Sequence, residues 1–170
     1  QLAGARCALH DDGVSCWGPN DYGQTDVPSL SNPTQVSASG GVACALDDNG
    51  VSCWGYNAYG QTDVPTLVNP KYVDIGHDHT CAIDDTGVVC WGRNNEGQAD
   101  EFILGSPTQV SAGGFHTCAL NNTGMLCLGR NDHGQINLPQ HPETPLTNPT
   151  QVSAGYNHTC AIDDDGVQCW

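Results

Sequence analysis

Residues 44–61 read CALDDNGVSCWGYNAYGQ, and the chain repeats this stretch throughout its length. It returns as CALHDDGVSCWGPNDYGQ at 7–24, as CAIDDTGVVCWGRNNEGQ at 81–98 and, more loosely, as CALNNTGMLCLGRNDHGQ at 118–135. A further copy, CAIDDDGVQCW, occupies 160–170. The leading cysteines stand at 7, 44, 81, 118 and 160, a spacing of 37, 37, 37 and 42 residues. A fixed period of this size marks a propeller, a solenoid or an array.

Each copy reads as a β-hairpin. Cys44-Ala45-Leu46 and Val51-Ser52-Cys53 flank the polar run Asp47-Asp48-Asn49-Gly50, the composition of a tight turn between two strands. The turn glycine recurs as Gly13, Gly50, Gly87, Gly124 and Gly166, which predicts a backbone position with positive φ. With a two-residue loop the two cysteines face each other at a non-hydrogen-bonded pair, Cα atoms about 4.5 Å apart. A three-residue loop makes them diagonal neighbours. Either register predicts local bridges Cys7–Cys16, Cys44–Cys53, Cys81–Cys90, Cys118–Cys127 and Cys160–Cys169. The spacing within each pair matches no usual zinc pattern. Cysteines that are all paired point to an oxidising, extracellular compartment.

The rest of a unit follows from its punctuation. Trp-Gly opens the turn Trp-Gly-x-Asn-x-x-Gly-Gln, followed by a connection broken by prolines such as Pro28 and Pro33, then an alternating entry strand such as Thr34 to Ala38. The connection from Gln135 to Pro149 carries five extra residues, Gln140-His141-Pro142-Glu143 among them, and predicts a larger surface loop. Residues 1–6 read as the end of an entry strand, so any export signal would lie outside this sequence. One unit cannot bury its own apolar face, so neighbours must stack, with Trp17, Trp54, Trp91 and Trp170 filling the space between them. Leu128 stands at the tryptophan position of the fourth unit, which predicts the weakest packing there. Residues 1–170 therefore read as a single all-β repeat domain with hairpin units at 7–16, 44–53, 81–90, 118–127 and 160–169.

The net charge is −15, with only Arg6, Lys71, Arg93 and Arg130 as fixed positive charges. That balance argues against nucleic acid and anionic membrane surfaces and suits cationic partners or divalent cations. No stretch approaches the roughly 18 apolar residues of a membrane helix.

Gln109 to Gln135, QVSAGGFHTCAL followed by CLGRNDHGQ, and its tryptophan-bearing sisters resemble the repeats of the regulator of chromosome condensation. That family forms seven-bladed β-propellers, and the resemblance covers essentially the whole chain. It implies a propeller, here with shorter repeats of about 37 residues and incomplete at four to five blades, so that the chain is either part of a longer propeller or is completed by other chains. The short repeats and paired cysteines are similar to secreted bacterial members, among them a β-lactamase inhibitor protein. The family's nucleotide exchange on a small nuclear GTPase does not carry over to an acidic, disulfide-rich chain. The family's histidine falls on His79, His116 and His158, where the resemblance implies a structural role; Ala5 and Val42 replace it in the first two units.

Several residues are candidates for chemistry beyond the frame. Tyr22, Tyr59, Glu96 and His133 vary at one position of a constant turn, the way a repeat protein builds a binding face. The tip acids Asp47, Asp48, Asp84, Asp85, Asp163, Asp164 and Asp165 are calcium candidates, although a tip alone supplies fewer than the six to eight oxygens calcium takes. Asp11 and Asp12 form the same kind of tip in the first unit. His77-Asp78-His79 offers two imidazoles on one face of a strand without an identifiable third ligand. Asn121 and Asn157 begin glycosylation sequons, and Asn121 on a tip reads as the more accessible. No nucleophile elbow, phosphate loop or zinc-protease helix is present. The expectation is a secreted, non-catalytic, protein-binding propeller with no cofactor beyond calcium. The alternatives are a subunit joined head to tail through open repeat ends and an inhibitor of a secreted enzyme.

Overall fold

The computed structural model describes residues 6–141 and 144–170. Residues 1–5 of the expected entry strand, and Pro142 and Glu143 of the insert, lie outside the described residues. Blade 1 is the hairpin β1 (Arg6–His10) and β2 (Gly13–Trp17). Blade 2 is β3 (Gln35–Ser39), β4 (Val42–Asp47) and β5 (Gly50–Gly55); blade 3 is β6 (Tyr72–Ile75), β7 (His79–Asp84) and β8 (Gly87–Gly92). Blade 4 is β9 (Gln109–Ala112), β10 (His116–Asn121) and β11 (Gly124–Gly129). The insert forms a small hairpin, β12 (Gln140–His141) and β13 (Thr144–Pro145), rather than an irregular loop. Blade 5 is β14 (Gln151–Ala154), β15 (Thr159–Asp163) and β16 (Gly166–Cys169). Every blade from the second on is an antiparallel meander of entry strand and cysteine hairpin.

The hairpins take the two-residue register. Asp47 pairs with Gly50 and Cys44 with Cys53, so all five disulfides join directly opposite residues with Cα atoms 4.0 to 4.1 Å apart. Each closes a short loop, worth about 2–3 kcal/mol in the chain-entropy account. The glycine after the tip has φ between 112° and 138° in four hairpins; Gly124 of blade 4 does not have a positive φ.

The tip acids are spent on the turn and on the incoming connection. Asp84 accepts hydrogen bonds from the backbone of Val68, Thr86 and Gly87 and from the Thr86 hydroxyl. Asp47 and Asp163 hold Ser31 and Thr147 in the same way. The second acid of each tip, Asp48, Asp85 or Asp164, accepts from Asn32, Asn69 or Asn148. These asparagines precede proline and sit at φ 47° to 52°, a left-handed conformation asparagine tolerates. Where blade 4 has Asn122 in place of the second acid, Ser106 replaces the asparagine.

Entry strands of successive blades lie side by side and form the inside of the arc. The apolar core lies between blades. Val42, Cys44, Leu46, Val73, Ile75, Ala82 and Trp91 fill the seam between blades 2 and 3. The next seam holds Cys81, Ile83, Val110 and Ala119, closed from outside by Phe102, and the next Cys118, Leu120, Cys127 and Val152. Leu128 does not mark the least buried blade. It packs against the core between blades 3 and 4, and Cys118, Ala119 and Leu120 of its blade are at most 3% exposed. Within the strands, the exposed apolar side chains are those of the outer blades, Trp17 at 50% and Val167 at 70% among them, because each lacks a neighbour on one side within this arc; Val68 and Ile103 are exposed on the connections between inner blades.

Candidate functional site

The turn after each tryptophan carries both the frame and the candidate face. In blade 2, Asn57 Oδ1 accepts from Thr62 N at 2.9 Å and Gln61 Oε1 accepts from Tyr59 N at 2.9 Å. Asn20 and Gln24, Asn94 and Gln98, and Asn131 and Gln135 repeat both bonds. The four glutamines are at most 2% exposed. The residue between uses only its backbone N–H, so its side chain is free to vary. Tyr22 and Tyr59 are 44% and 45% exposed, and Glu96 and His133 are exposed as well.

The backbone carbonyl of each glutamine is a buried acceptor that the next blade must satisfy. Trp54 Nε1 donates to Gln24 O at 3.2 Å. Gln61 O accepts from both Trp91 Nε1 at 3.0 Å and the Thr80 hydroxyl at 2.9 Å. Leu128 cannot donate, and Gln98 O relies on the Thr117 hydroxyl at 2.8 Å; Thr159 serves Gln135 O at 2.7 Å.

The histidines complete this arrangement. His79 Nε2 lies 2.7 Å from Thr117 Oγ1, and His116 Nε2 lies 2.9 Å from Thr159 Oγ1. Because each threonine hydroxyl donates onward to a carbonyl, the histidine must donate to the threonine, which places the proton on Nε2. The other ring nitrogen, Nδ1, is buried without a hydrogen bond, as a neutral ring allows. Burial, reinforced by His116 and His77, depresses His79 to about 3; burial, reinforced by His158, depresses His116 to about 4. His79 and His116 thus tie one blade to the next through a threonine hydroxyl. His158 occupies the same position on the outer side of blade 5 and is exposed.

Glycine makes room for the ring. A Cβ on Gly76 would lie 2.3 Å from the His79 ring, and one on Gly113 2.5 Å from that of His116. In blade 2, where Val42 replaces the histidine, Ser39 stands at the glycine position.

The exposed turn residues join a longer belt. Tyr22 lies 4.8 Å from Tyr56, and Tyr56 6.5 Å from Tyr59, by ring centroid. The Arg93 guanidinium carbon sits 5.3 Å from the Tyr59 centroid and 5.0 Å from that of Phe115. Phe115, His77 and Tyr156 form a triangle with all three centroid distances 5.6 Å. Arg130 approaches Phe115 at 5.9 Å and pairs with Asp132 at 2.6 Å, which raises its own pKa. Asp78, buried beneath, accepts from Arg93 at 3.1 Å and lies 3.0 Å from His77 Nδ1. Burial, then Tyr59, Asp78 and Tyr22, pushes the Tyr56 hydroxyl up.

Tyr22 and Tyr59 thus lie in one surface with partners the sequence reading missed: Tyr56 and Arg93 after Trp-Gly, and His77, Phe115 and Tyr156 before the hairpin. Both positions vary on a constant frame, the signal that singled out Tyr22, but only folding shows that they meet. Glu96 and His133 extend the same turns in blades 3 and 4. His77 and His79 have different partners, and no group of three metal-ligating side chains occurs among the described residues. The calcium candidates lie on the opposite, hairpin-tip edge in the hydrogen bonds described above, and Asp165 accepts from the Thr147 hydroxyl at 3.4 Å. Asn121 holds the place of Asp47 and Asp84, donating to Gly105 O and accepting from Thr123 and Gly124, so its side chain builds the tip. Asn157 is half-buried beside Tyr156.

Residues 71–98, 108–135 and 150–170 match the Regulator of chromosome condensation (RCC1) repeat. No curated protein sequence matches significantly. The entire ectodomain of the receptor kinase CR4 from Physcomitrella patens is 26% identical over 98% of this chain, with a TM-score of 0.79. The chain spans about half of that ectodomain, 49% of its length. The CRINKLY WD40 ectodomain of the Arabidopsis thaliana receptor kinase ACR4 is 27% identical, with a TM-score of 0.78, covering 100% of this chain and 68% of its own. Prp20p from Saccharomyces cerevisiae, studied with its binding to Gsp1p and histones, gives a TM-score of 0.77 at 21% identity, covering 96% of this chain and 55% of its own. At that identity the likeness carries the fold alone.

Proposed function

Given a chain built of regulator-of-chromosome-condensation repeats folded as propeller blades, we propose that it is an extracellular, non-catalytic scaffold that holds a protein partner on the aromatic belt. The observation that carries this reading is the belt itself. Exposed tyrosines, a phenylalanine and two arginines run without a break across the blades, the composition of interface hot spots. Ten paired cysteines and the likeness to two receptor-kinase ectodomains support the compartment. The buried glutamine carbonyls, threonine hydroxyls and histidine Nε2 atoms of the turns and seams are engaged in holding the blades, which supports a binding rather than a catalytic role. Inhibition of a secreted enzyme is one form this scaffold takes if the partner is an enzyme.

The test is capture of a partner from extracellular medium by the native chain and by variants. Tyr22→Ala with Tyr59→Ala abolishes capture, while Asn122→Ala on the exposed tip leaves it intact. Capture that ignores the tyrosines overturns the reading. Head-to-tail assembly is less supported by the seams. Blade 5 offers His158 where inner seams meet a threonine, and blade 1 presents Arg6 at that register position, opposite Trp17. Discrete monomers in light scattering across a concentration series are the expected result.

A further inference from the structure

Arg93 shows what the belt can hold. Its guanidinium lies between the Tyr59 and Phe115 rings and donates from Nη1 to Asp78 at 3.1 Å. A cation against aromatic rings with a carboxylate beside it is how such surfaces bind arginine and lysine. The position that supplies Arg93 follows Trp-Gly in blades 1 to 3, and Arg130 fills it after Leu128-Gly129 in blade 4. In blades 1 and 2 the same position is Pro19 and Tyr56. The Tyr22–Tyr56 end therefore has the rings, at 4.8 Å, and receives no cation from that position. The exposed carboxylate of Asp21 adjoins Tyr22 in sequence. The chain carries a net charge of −15, which draws a basic partner in over distance and repels an acidic one.

Building on the belt as the binding face, we propose that its Tyr22–Tyr56 end takes an arginine or lysine of a basic, extended segment of the protein partner, as the adjoining end holds Arg93. The belt continues the cation–ring alternation into the partner. The segment is recognised by rings and charge together, so a polycation attracted by charge alone binds less selectively.

The experiment measures fluorescence anisotropy of a labelled short peptide of alternating arginine and glycine, against its glutamate–glycine counterpart. The arginine peptide binds, the glutamate peptide does not, and salt weakens the binding. Tyr22→Leu keeps the charge and most of the apolar area but removes the ring, and it weakens binding about fivefold. Native-like circular dichroism of this surface variant shows that the loss is local. Equal affinity of the variant and the native chain means diffuse attraction only and overturns the proposal, as does no binding of the arginine peptide. A natural partner that needs Tyr22 and Tyr59 but presents a neutral or acidic contact overturns this proposal alone. A partner indifferent to both tyrosines overturns the belt reading with it.

Discussion

Gln61 and Tyr59 are two residues apart in one turn, yet Gln61 is fully buried and Tyr59 is 45% exposed. The glutamine's side chain closes the turn, whereas the tyrosine contributes only its backbone N–H. The same split separates the seams from the belt. In the seams the glutamine carbonyls, the threonine hydroxyls and the histidine Nε2 atoms have defined partners, while Gln61, Gln98 and Gln135 Nε2 are buried without one. On the belt the frame asks nothing of the side chain, so repeats diverge there at no structural cost. A repeat protein can therefore keep its fold and change its partner by altering residues two positions from its most constrained ones.

Acid should separate the two regions most strongly. Burial pushes His79 and His116 down to about 3 and about 4 in the folded chain, against about 6.5 for an ordinary histidine. The unfolded chain takes up their protons first as pH falls. Stability is therefore fully present above 6.5 and is lost on descending toward those values, by on the order of 1 kcal/mol per pH unit for each histidine. Burial raises Asp74, whose contribution runs the opposite way at lower pH, so the useful comparison is with a variant. His79→Gln with His116→Gln keeps a donor for each threonine and flattens the slope between pH 6.5 and 4.5 in urea titrations. An unchanged slope would remove the histidines from the account.

The seams themselves supply a sharper contrast. Thr117→Val leaves both the Gln98 carbonyl and the His79 Nε2 proton buried without a partner, a loss of about 3 kcal/mol by equilibrium denaturation. Thr80→Val leaves Trp91 donating to Gln61 O and faces Val42 rather than a histidine, so it costs about 1 kcal/mol or less. Equal losses would mean that the tryptophan and the histidine–threonine pair are not alternative solutions. Gly76→Ser, which forces a Cβ against the His79 ring, destabilises by about 2 kcal/mol, while Ser39→Gly costs about 0.5 kcal/mol. The smallest change belongs to the belt, where Tyr22→Ala or Tyr59→Ala shifts stability by no more than about 0.5 kcal/mol, as exposed positions do.

What the sequence makes legible follows the range of the interaction. The hairpin, its register options and its five bridges depend on neighbours fewer than ten residues apart, and the repeat names them. The exposed positions Tyr22, Tyr59, Glu96 and His133 follow from variation within a constant turn. Thr117 is not singled out, because its role appears only when His79, 38 residues earlier, is brought against it. Leu128 reads as a packing defect in a single repeat, but the threonine that donates beside the indole in blade 3 still serves the carbonyl in blade 4. Phe115 and Tyr156 belong to different blades and meet only in the folded arc. The tip acids show the reverse problem, since their composition suits a cation while their oxygens are held by Asn32, Asn69 and the turn backbone.

Hydroxyl-radical footprinting of the chain, free and bound to its captured partner, tests the division between frame and belt most directly. The account predicts that Tyr22, Tyr59 and Tyr156 become protected on binding while the exposed side chains of the hairpin tips keep their reactivity. Protection centred on the tips, with the three tyrosines unchanged, would contradict it.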